Sequence, residues 1–428
     1  MCIWSSQVRC TLHLFLVLFL CLLVFFPLVF FDYHQFLLVA LVLLCFVVCR
    51  RNYVLMDVDS CSLFVCFVNT AFLPHSPPLF SCLSPAVCFS GRYEMEFATQ
   101  VEGECISGSL VNISEQEEHV YTTSFSPDGK FLAAVLGDGT LIILDSNTLH
   151  VQQRATMGKS YEDLPSTGVR WLSQNEVDQY NLVSVSSAGG VFLWTWDGKN
   201  LYRTAKMHEE GNEIICLEVC LETDEFLTAG SDRILRYYAA DGTLKGILCK
   251  GFGEDGYSRT THTNRIFSVR FISPTMAVSG GWGSPIQIWD MRSMESRKQI
   301  VGTQVGADGI EPIPNTTCII VTSKRSVQQL QVFDCVSGDE LEEASARLSA
   351  ELEGTITLLS RYCKKTDLLW VVTAQNHKVF VISYSTGKLL ASCELPIAPM
   401  NLQLSDHFPY QAIISCAGGK LFRAAVDV

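Results

Sequence analysis

The amino-acid sequence predicts an all-β fold made of repeated small sheets, preceded by a hydrophobic segment. Two observations carry this. Residues 262–290 hold three short runs rich in β-branched and aromatic residues, 266–272, 276–279 and 285–289, split by turn residues at Ser273, Pro274 and 280–284. Within them Ile266, Phe267, Val269 and Phe271, then Ile286, Ile288 and Trp289, make strands that are half buried or sandwiched between sheets. A sheet this small with two apolar faces is stable only between similar sheets, so copies at a fixed spacing are expected.

Taken in order, the chain has two unlike parts. It has 428 residues and a net charge of −13, with 48% hydrophobic and 18% charged residues. In residues 1–90 the only charged side chains are Arg9, Asp32, Arg50, Arg51, Asp57 and Asp59, and half of the 18 cysteines fall there. Residues 12–31 are apolar apart from His13 and Pro27, enough at about 1.5 Å per residue to cross a hydrocarbon layer of about 30 Å. Residues 36–49 are too short to span unless joined to that run in one tilted element. Arg50 and Arg51 behind the run, against Arg9 before it, would leave the following domain on the cytoplasmic side. The same Phe, Leu, Val, Cys and Ser composition, without periodic order, is also what T-rich non-coding DNA specifies when translated. Residues 1–90 therefore read either as a membrane anchor or as a mispredicted exon, with Met95 as the true start.

The second part, residues 91–428, resembles the WD40-repeat family. His262, Ser279 and the closing Trp289-Asp290 stand at the spacing of one such repeat, which forms one blade of a β-propeller. The resemblance implies a buried hydrogen-bond relay of His, Ser or Thr, Asp and Trp. Gly283 stands where the Asp belongs, so an incomplete relay is expected in this repeat. Another repeat matches with His208, Thr228 and Asp232, and has Tyr238 for the Trp. Positions equivalent to Trp289-Asp290 recur at Leu144-Asp145, Trp194-Thr195, Tyr238-Ala239, Phe333-Asp334, Ile382-Ser383 and Ala424-Ala425, steps of about 42 to 51 residues. Seven blades follow, and the predicted architecture is a seven-bladed WD40 β-propeller behind the hydrophobic segment.

Local signals mark the blades. Pro127-Asp128-Gly129 and Asp138-Gly139 are tight turns in the first, which has Ala134 at the relay Ser position. Gly189-Gly190 turns the second. Residues 341–352, rich in Glu, Ala and Leu, read either as a short helix or as a strand and loop. The last blade ends at its third strand, and residues 95–105 are the expected donor of its outer strand, closing the ring.

Other motifs resolve to structural roles. Residues 251–256 match GxGxxG, but Glu254 and Asp255 would repel phosphates and no helical period follows, so an inter-blade loop is expected. Cys216 and Cys220 share one face of a strand with no CxxC pair or His-rich cluster to complete a metal site, and the propeller cysteines are expected to be free thiols. No catalytic motif appears, and neither an enzyme activity nor a cofactor or metal is expected. The acidic balance argues against non-specific nucleic-acid binding.

The sequence therefore points to a non-enzymatic scaffold or adaptor, a monomeric cytoplasmic propeller within a complex, with proteins or peptides as partners. Candidate partner-binding residues lie in or beside the turns between second and third strands: Asp138, Arg233, Trp282, Lys324, Arg325 and His377, with Trp282 as the foremost. Two further readings differ in class. Trp289-Asp290-Met291-Arg292 resembles the WDxR signature of substrate receptors in cullin-type ubiquitin ligases, which would place Arg292 on the underside against the adaptor. A membrane-tethered trafficking adaptor would use residues 12–49.

Overall fold

The computed structural model describes residues 54–57, 62–65, 95–101, 104–156, 165–173, 179–252, 258–260 and 262–427. The chain divides into two units, Met1–Cys88 and Phe89–Val428. In the first, strands Val54–Asp57 and Ser62–Val65 pair as an antiparallel hairpin. The apolar run at 12–49 lies outside the described residues, and among those described no helix is long and apolar enough to cross a membrane.

The second unit is a ring of seven sheets, antiparallel throughout except in the fourth, where Lys250–Phe252 adds parallel to the outer strand at Gly251↔Ser296. Their inner strands are Val120–Phe125, Ser166–Trp171, Ile214–Cys220, Ile266–Ser273, Val305–Pro312, Thr357–Cys363 and Pro399–Leu404. Each inner strand packs beside the next, and the last beside the first, so the ring is closed. The buried apolar residues fall into seven clusters, and every cluster joins two neighbouring blades. Between blades 3 and 4, for example, Leu227, Ala229 and Tyr237 meet Val269, Ala277 and Trp289. A single blade has no core of its own, which is why its strands are apolar on both faces.

Closure uses a strand about ten residues further along than expected. The outer strand of blade 7 is Glu104–Asn112, pairing antiparallel with Lys420–Asp427 from Cys105↔Asp427 to Asn112↔Lys420. Met95–Val101 adds to the far side of that strand as a fifth. The expected donor, 95–105, is thus mostly the added strand. The strand found, 104–112, buries Ile106, Gly108 and Leu110 on one face toward blade 6 and Val111 on the other toward blade 1.

Blade 5 departs most from its neighbours, having three strands and then a helix, α1 (Glu342–Ser349), against the exposed edge of Leu330–Asp334. Of the two readings for 341–352, the helix is the one found. A strand edge presents unpaired backbone groups, and serines of α1 satisfy them. Val332 N–H donates to Ser345 Oγ at 2.9 Å, while Ser349 Oγ accepts from Leu330 N–H at 3.1 Å and donates to Leu330 C=O at 2.9 Å. Residues four apart on a helix advance about 6 Å, matching about 6.6 Å between alternate strand residues, so two hydroxyls one turn apart stand in for a missing strand.

Ring closure makes a prediction. Deleting residues 104–112 should abolish the cooperative unfolding transition followed by circular dichroism. Deleting 95–101 removes only the added strand and should leave a cooperative transition.

Candidate protein-binding face

The turns joining second to third strands, and the loops leading from one blade to the next, lie on one face of the ring. In blade 4 this face is anchored by a buried relay. His262 is 4% exposed, and its Nε2 lies 2.7 Å from Ser279 Oγ, which accepts a hydrogen bond from Trp289 Nε1 at 2.8 Å. The Ser279 hydroxyl accepts from the indole and keeps its own proton to give to Nε2, an arrangement that puts the imidazole proton on Nδ1. That nitrogen lies 3.0 Å from Ser284 Oγ, which also accepts from Thr263 N–H at 3.3 Å. Ser284 thus takes the place of the Asp missing at Gly283, and the relay expected to be incomplete is closed. Burial lowers the His262 pKa to about 4, so the ring is neutral, as this tautomer requires.

The blade 3 relay is built differently from the expected one. His208 is exposed at the end of the outer strand of blade 2, opposite Gly190, and takes no part. Its neighbour Glu209, 3% exposed, occupies the site: Thr228 Oγ1 donates to its carboxylate, Tyr238 OH donates at 2.9 Å and Asn212 Nδ2 at 2.7 Å. Arg236 pairs with Glu209 at 3.2 Å and with Asp232 at 2.6 Å, so Asp232 joins the network through a cation rather than through an imidazole. Glu209 Oε1 accepts from both the phenol and the Thr228 hydroxyl while Oε2 serves Asn212 and Arg236, four partners where an imidazole nitrogen would accept one. The signal in the sequence was Arg236, an inward-facing cation two residues before Tyr238 that required an anion.

On the loop face the structure brings three expected residues together and leaves three apart. Trp282, 55% exposed, stands in the tight turn of blade 4, where Gly283 has φ +64°. Lys324 Nζ lies over its ring, 5.6 Å from the centroid, and Arg325 donates to Gly302 C=O on the loop between blades 4 and 5. Two exposed valines stand close in the chain to this contact, Val301 next to Gly302 and Val327 two residues after Arg325, and add apolar surface to the basic one. Asp138 closes its own turn in blade 1 by accepting from Thr140 N–H, Arg233 is in blade 3, and His377 is in blade 6. Arg292 is exposed in the turn after the third strand of blade 4, its guanidinium bonded to Asp290 at 3.2 Å through both Nε and NH2.

A further set escaped the sequence reading. At one equivalent position of the inner strands, blades 2 to 6 carry Arg170, Glu218, Arg270, Glu311 and Arg361, with Ser124 and Gln403 in blades 1 and 7. Charges alternate around the channel. Asp308 adds a central carboxylate, bonded to Arg270 at 2.5 Å and Arg361 at 2.6 Å, with Arg170 at 3.6 Å. Burial alone would raise the Asp308 pKa, but the three guanidinium groups hold it well below the usual carboxylate range, whereas burial wins at Glu311 and pushes it up. Several of these side chains line a cavity of about 300 Å³ at the end of the channel where the inner strands turn into the second strands. The signal was a charged residue recurring once per repeat, hidden because signs alternate.

The GxGxxG stretch begins in a strand, Lys250–Phe252, that pairs with Ser258–Thr260, with 253–257 outside the described residues. Cys216 and Cys220 are buried and free, and all eight cysteines whose pairing is described are free. Among the described residues no group of three His, Cys, Asp or Glu is placed to hold a metal.

Comparison with known proteins agrees with this architecture. The family WD domain, G-beta repeat, matches residues 110–145, which cover the end of the closing strand and most of blade 1. The ribosome biogenesis protein WDR12 homolog of Drosophila virilis is 23% identical over 247 residues, 55% of this chain and 54% of that protein. The chain thus spans about half the length of the curated relative it matches.

Two predictions follow from the relays. His262 has a pKa of about 4 when folded and about 6.5 when unfolded, so its contribution is complete above the unfolded value and is lost as pH falls. From about pH 7 to about pH 5 the wild type should lose about 2 kcal/mol of unfolding free energy more than His262→Gln, measured by chemical denaturation. In the neighbouring blade Glu209→Ala should cost about 3–5 kcal/mol by leaving Thr228, Tyr238 and Asn212 without their buried acceptor and Arg236 with Asp232 alone, while His208→Ala stays within about 0.5 kcal/mol.

Proposed function

The chain is a WD40-repeat β-propeller protein, and we propose from that premise that it is a non-enzymatic scaffold holding other proteins through the loop face of its ring. One observation carries the reading: Trp282, an indole more than half exposed in a turn, with Lys324 over its ring. Large apolar side chains on a rigid framework are where protein partners gain most of their binding free energy, and Trp is enriched among such anchors. The blades beneath are close-packed, so the loops are presented with little conformational freedom to lose on binding.

The relative named for ribosome biogenesis supports a place in the assembly of a large complex, with ribosomal particles the first to examine. The free thiols favour a reducing compartment, as the cytoplasm is.

Full-length tagged chain, isolated from its own cells and quantified by mass spectrometry, should co-purify with a defined set of proteins and sediment faster than a free monomer. Trp282→Ala should lower the yield of those proteins by about tenfold or more, in line with hot-spot losses of about 2 kcal/mol. Sedimentation as a free monomer without partners would refute the scaffold reading.

A further inference from the structure

We propose that the rim over blades 4 and 5 is a docking site for an acidic peptide segment carrying an apolar side chain, a step that rests on the scaffold reading above. The apolar part of the site is Trp282, Val301 and Val327, which are 55%, 71% and 59% exposed. Its charge comes from Lys324 and Arg325, which form no ion pair among the described residues.

Two other cations on this face, Arg265 and Lys378, are already paired, Arg265 with Glu213 at 2.7 Å and Lys378 with Glu394 at 3.1 Å. Lys324 and Arg325 instead turn toward blade 4: Lys324 N–H donates to Gln304 C=O at 2.9 Å, its ammonium lies over Trp282, and Arg325 donates to Gly302 C=O. The acidic loop after α1, with Glu353, meets the same turn, where Gly354 N–H donates to Ser326 C=O at 3.1 Å, yet its carboxylate pairs with neither Lys324 nor Arg325 among the described residues. Two cations free of carboxylate partners beside an exposed indole, on a chain of net charge −13, make a local exception to the acidic surface. Carboxylates of the partner would meet Lys324 and Arg325, and its apolar side chain would cover Trp282.

The space is present. A Cβ added at Gly283 or Gly302, the glycines beside the indole and Val301, meets nothing within 4 Å, so the backbone here is open to an approaching chain. A nucleic acid is the weaker occupant, because two cations neutralise too few phosphates to offset repulsion by the rest of the protein.

The test titrates full-length protein against three fluorescein-labelled probes by anisotropy: a short peptide alternating Glu with Leu and Phe, the same peptide with Lys for Glu, and a uridine oligonucleotide. The first should bind, more weakly as salt rises, and lose about tenfold or more in affinity on Trp282→Ala and on the double change Lys324→Glu, Arg325→Glu. Both variants should melt like the wild type, since the side chains altered are at least partly exposed. Equal affinity across the variants, no binding of the acidic peptide, or preference for the basic peptide or the oligonucleotide would overturn the assignment. If the chain still co-purified with partners under any of those results, the scaffold reading would stand and a different face would be its site, so the two failures are separable.

Discussion

The pairing of Glu104–Asn112 with Lys420–Asp427 is the constraint on which the rest of the structure depends. Seven apolar clusters hold the ring, but each lies between two blades, and the one between blades 7 and 1 exists only when the two ends of the domain meet. Val111 and Ile113 from the closing segment pack there with Ile413 and Leu421 of blade 7 and Val120 and Leu132 of blade 1. Without the closing strand, both that interface and the edge of Lys420–Asp427 would face water, and backbone groups along the edge would lose their partners. Closure is therefore non-local, joining residues about 300 positions apart, and its entropic cost must be offset by contacts that form only when the ring is complete.

The charges in the channel answer a different need. Burying Arg170, Glu218, Arg270, Asp308 and Arg361 costs more desolvation than an apolar lining of the same volume would. The alternation supplies pairing instead: Glu218 lies between Arg170 at 3.1 Å and Arg270 at 3.3 Å, and Asp308 reaches all three arginines. A blade inserted out of order would set like charges side by side in a region of low dielectric. The blade interfaces are all apolar and differ in their large residues, Trp370 and Phe422 in one and Phe226 and Tyr238 in another, so the ionic ring adds a distinction by charge to one made by shape. The neutral positions Ser124 and Gln403 fall on either side of the closing seam, the one junction already specified by strand pairing.

Much of the ring was legible in the sequence, because a sheet apolar on both faces reads as a run of β-branched and aromatic residues, and its length sets the repeat. The closing Trp289-Asp290 and its weaker counterparts located the third strands, even where Ala424 and Ile382 replaced the Trp. What stayed hidden depended on contacts between distant residues. The helix α1 was undecided because its role, capping a strand edge with Ser345 and Ser349, is a match of spacing between two elements that no local window displays. Glu209 was passed over for His208 because the family pattern asks for an imidazole, and only the third-strand neighbours Arg236 and Tyr238 say that a carboxylate fits better. The shift of the closing strand to 104–112 was not legible, because Met95, Phe97 and Val101 alternate as well as Ile106 and Leu110 do, and only the packing on both neighbouring blades separates the two segments.

The relay in blade 4 links this framework to the loop face. Ser284 is two residues from Trp282, and its hydroxyl is held from beneath by His262 and by Thr263 N–H, both on the loop entering the blade. The turn carrying the indole is therefore pinned to the strand below it by a buried network: Trp289, Ser279, His262 and Ser284 form one hydrogen-bonded line from the third strand to the surface. An Asp at position 283 would have served the histidine equally, but it would have placed a carboxylate beside Trp282 and opposite Lys324. Glycine at 283 with serine at 284 keeps the relay complete while leaving the surface of the turn uncharged and open. The departure from the family pattern thus removes a negative charge from the patch where the cations and the exposed indole meet, and Ser284 still gives the histidine its partner.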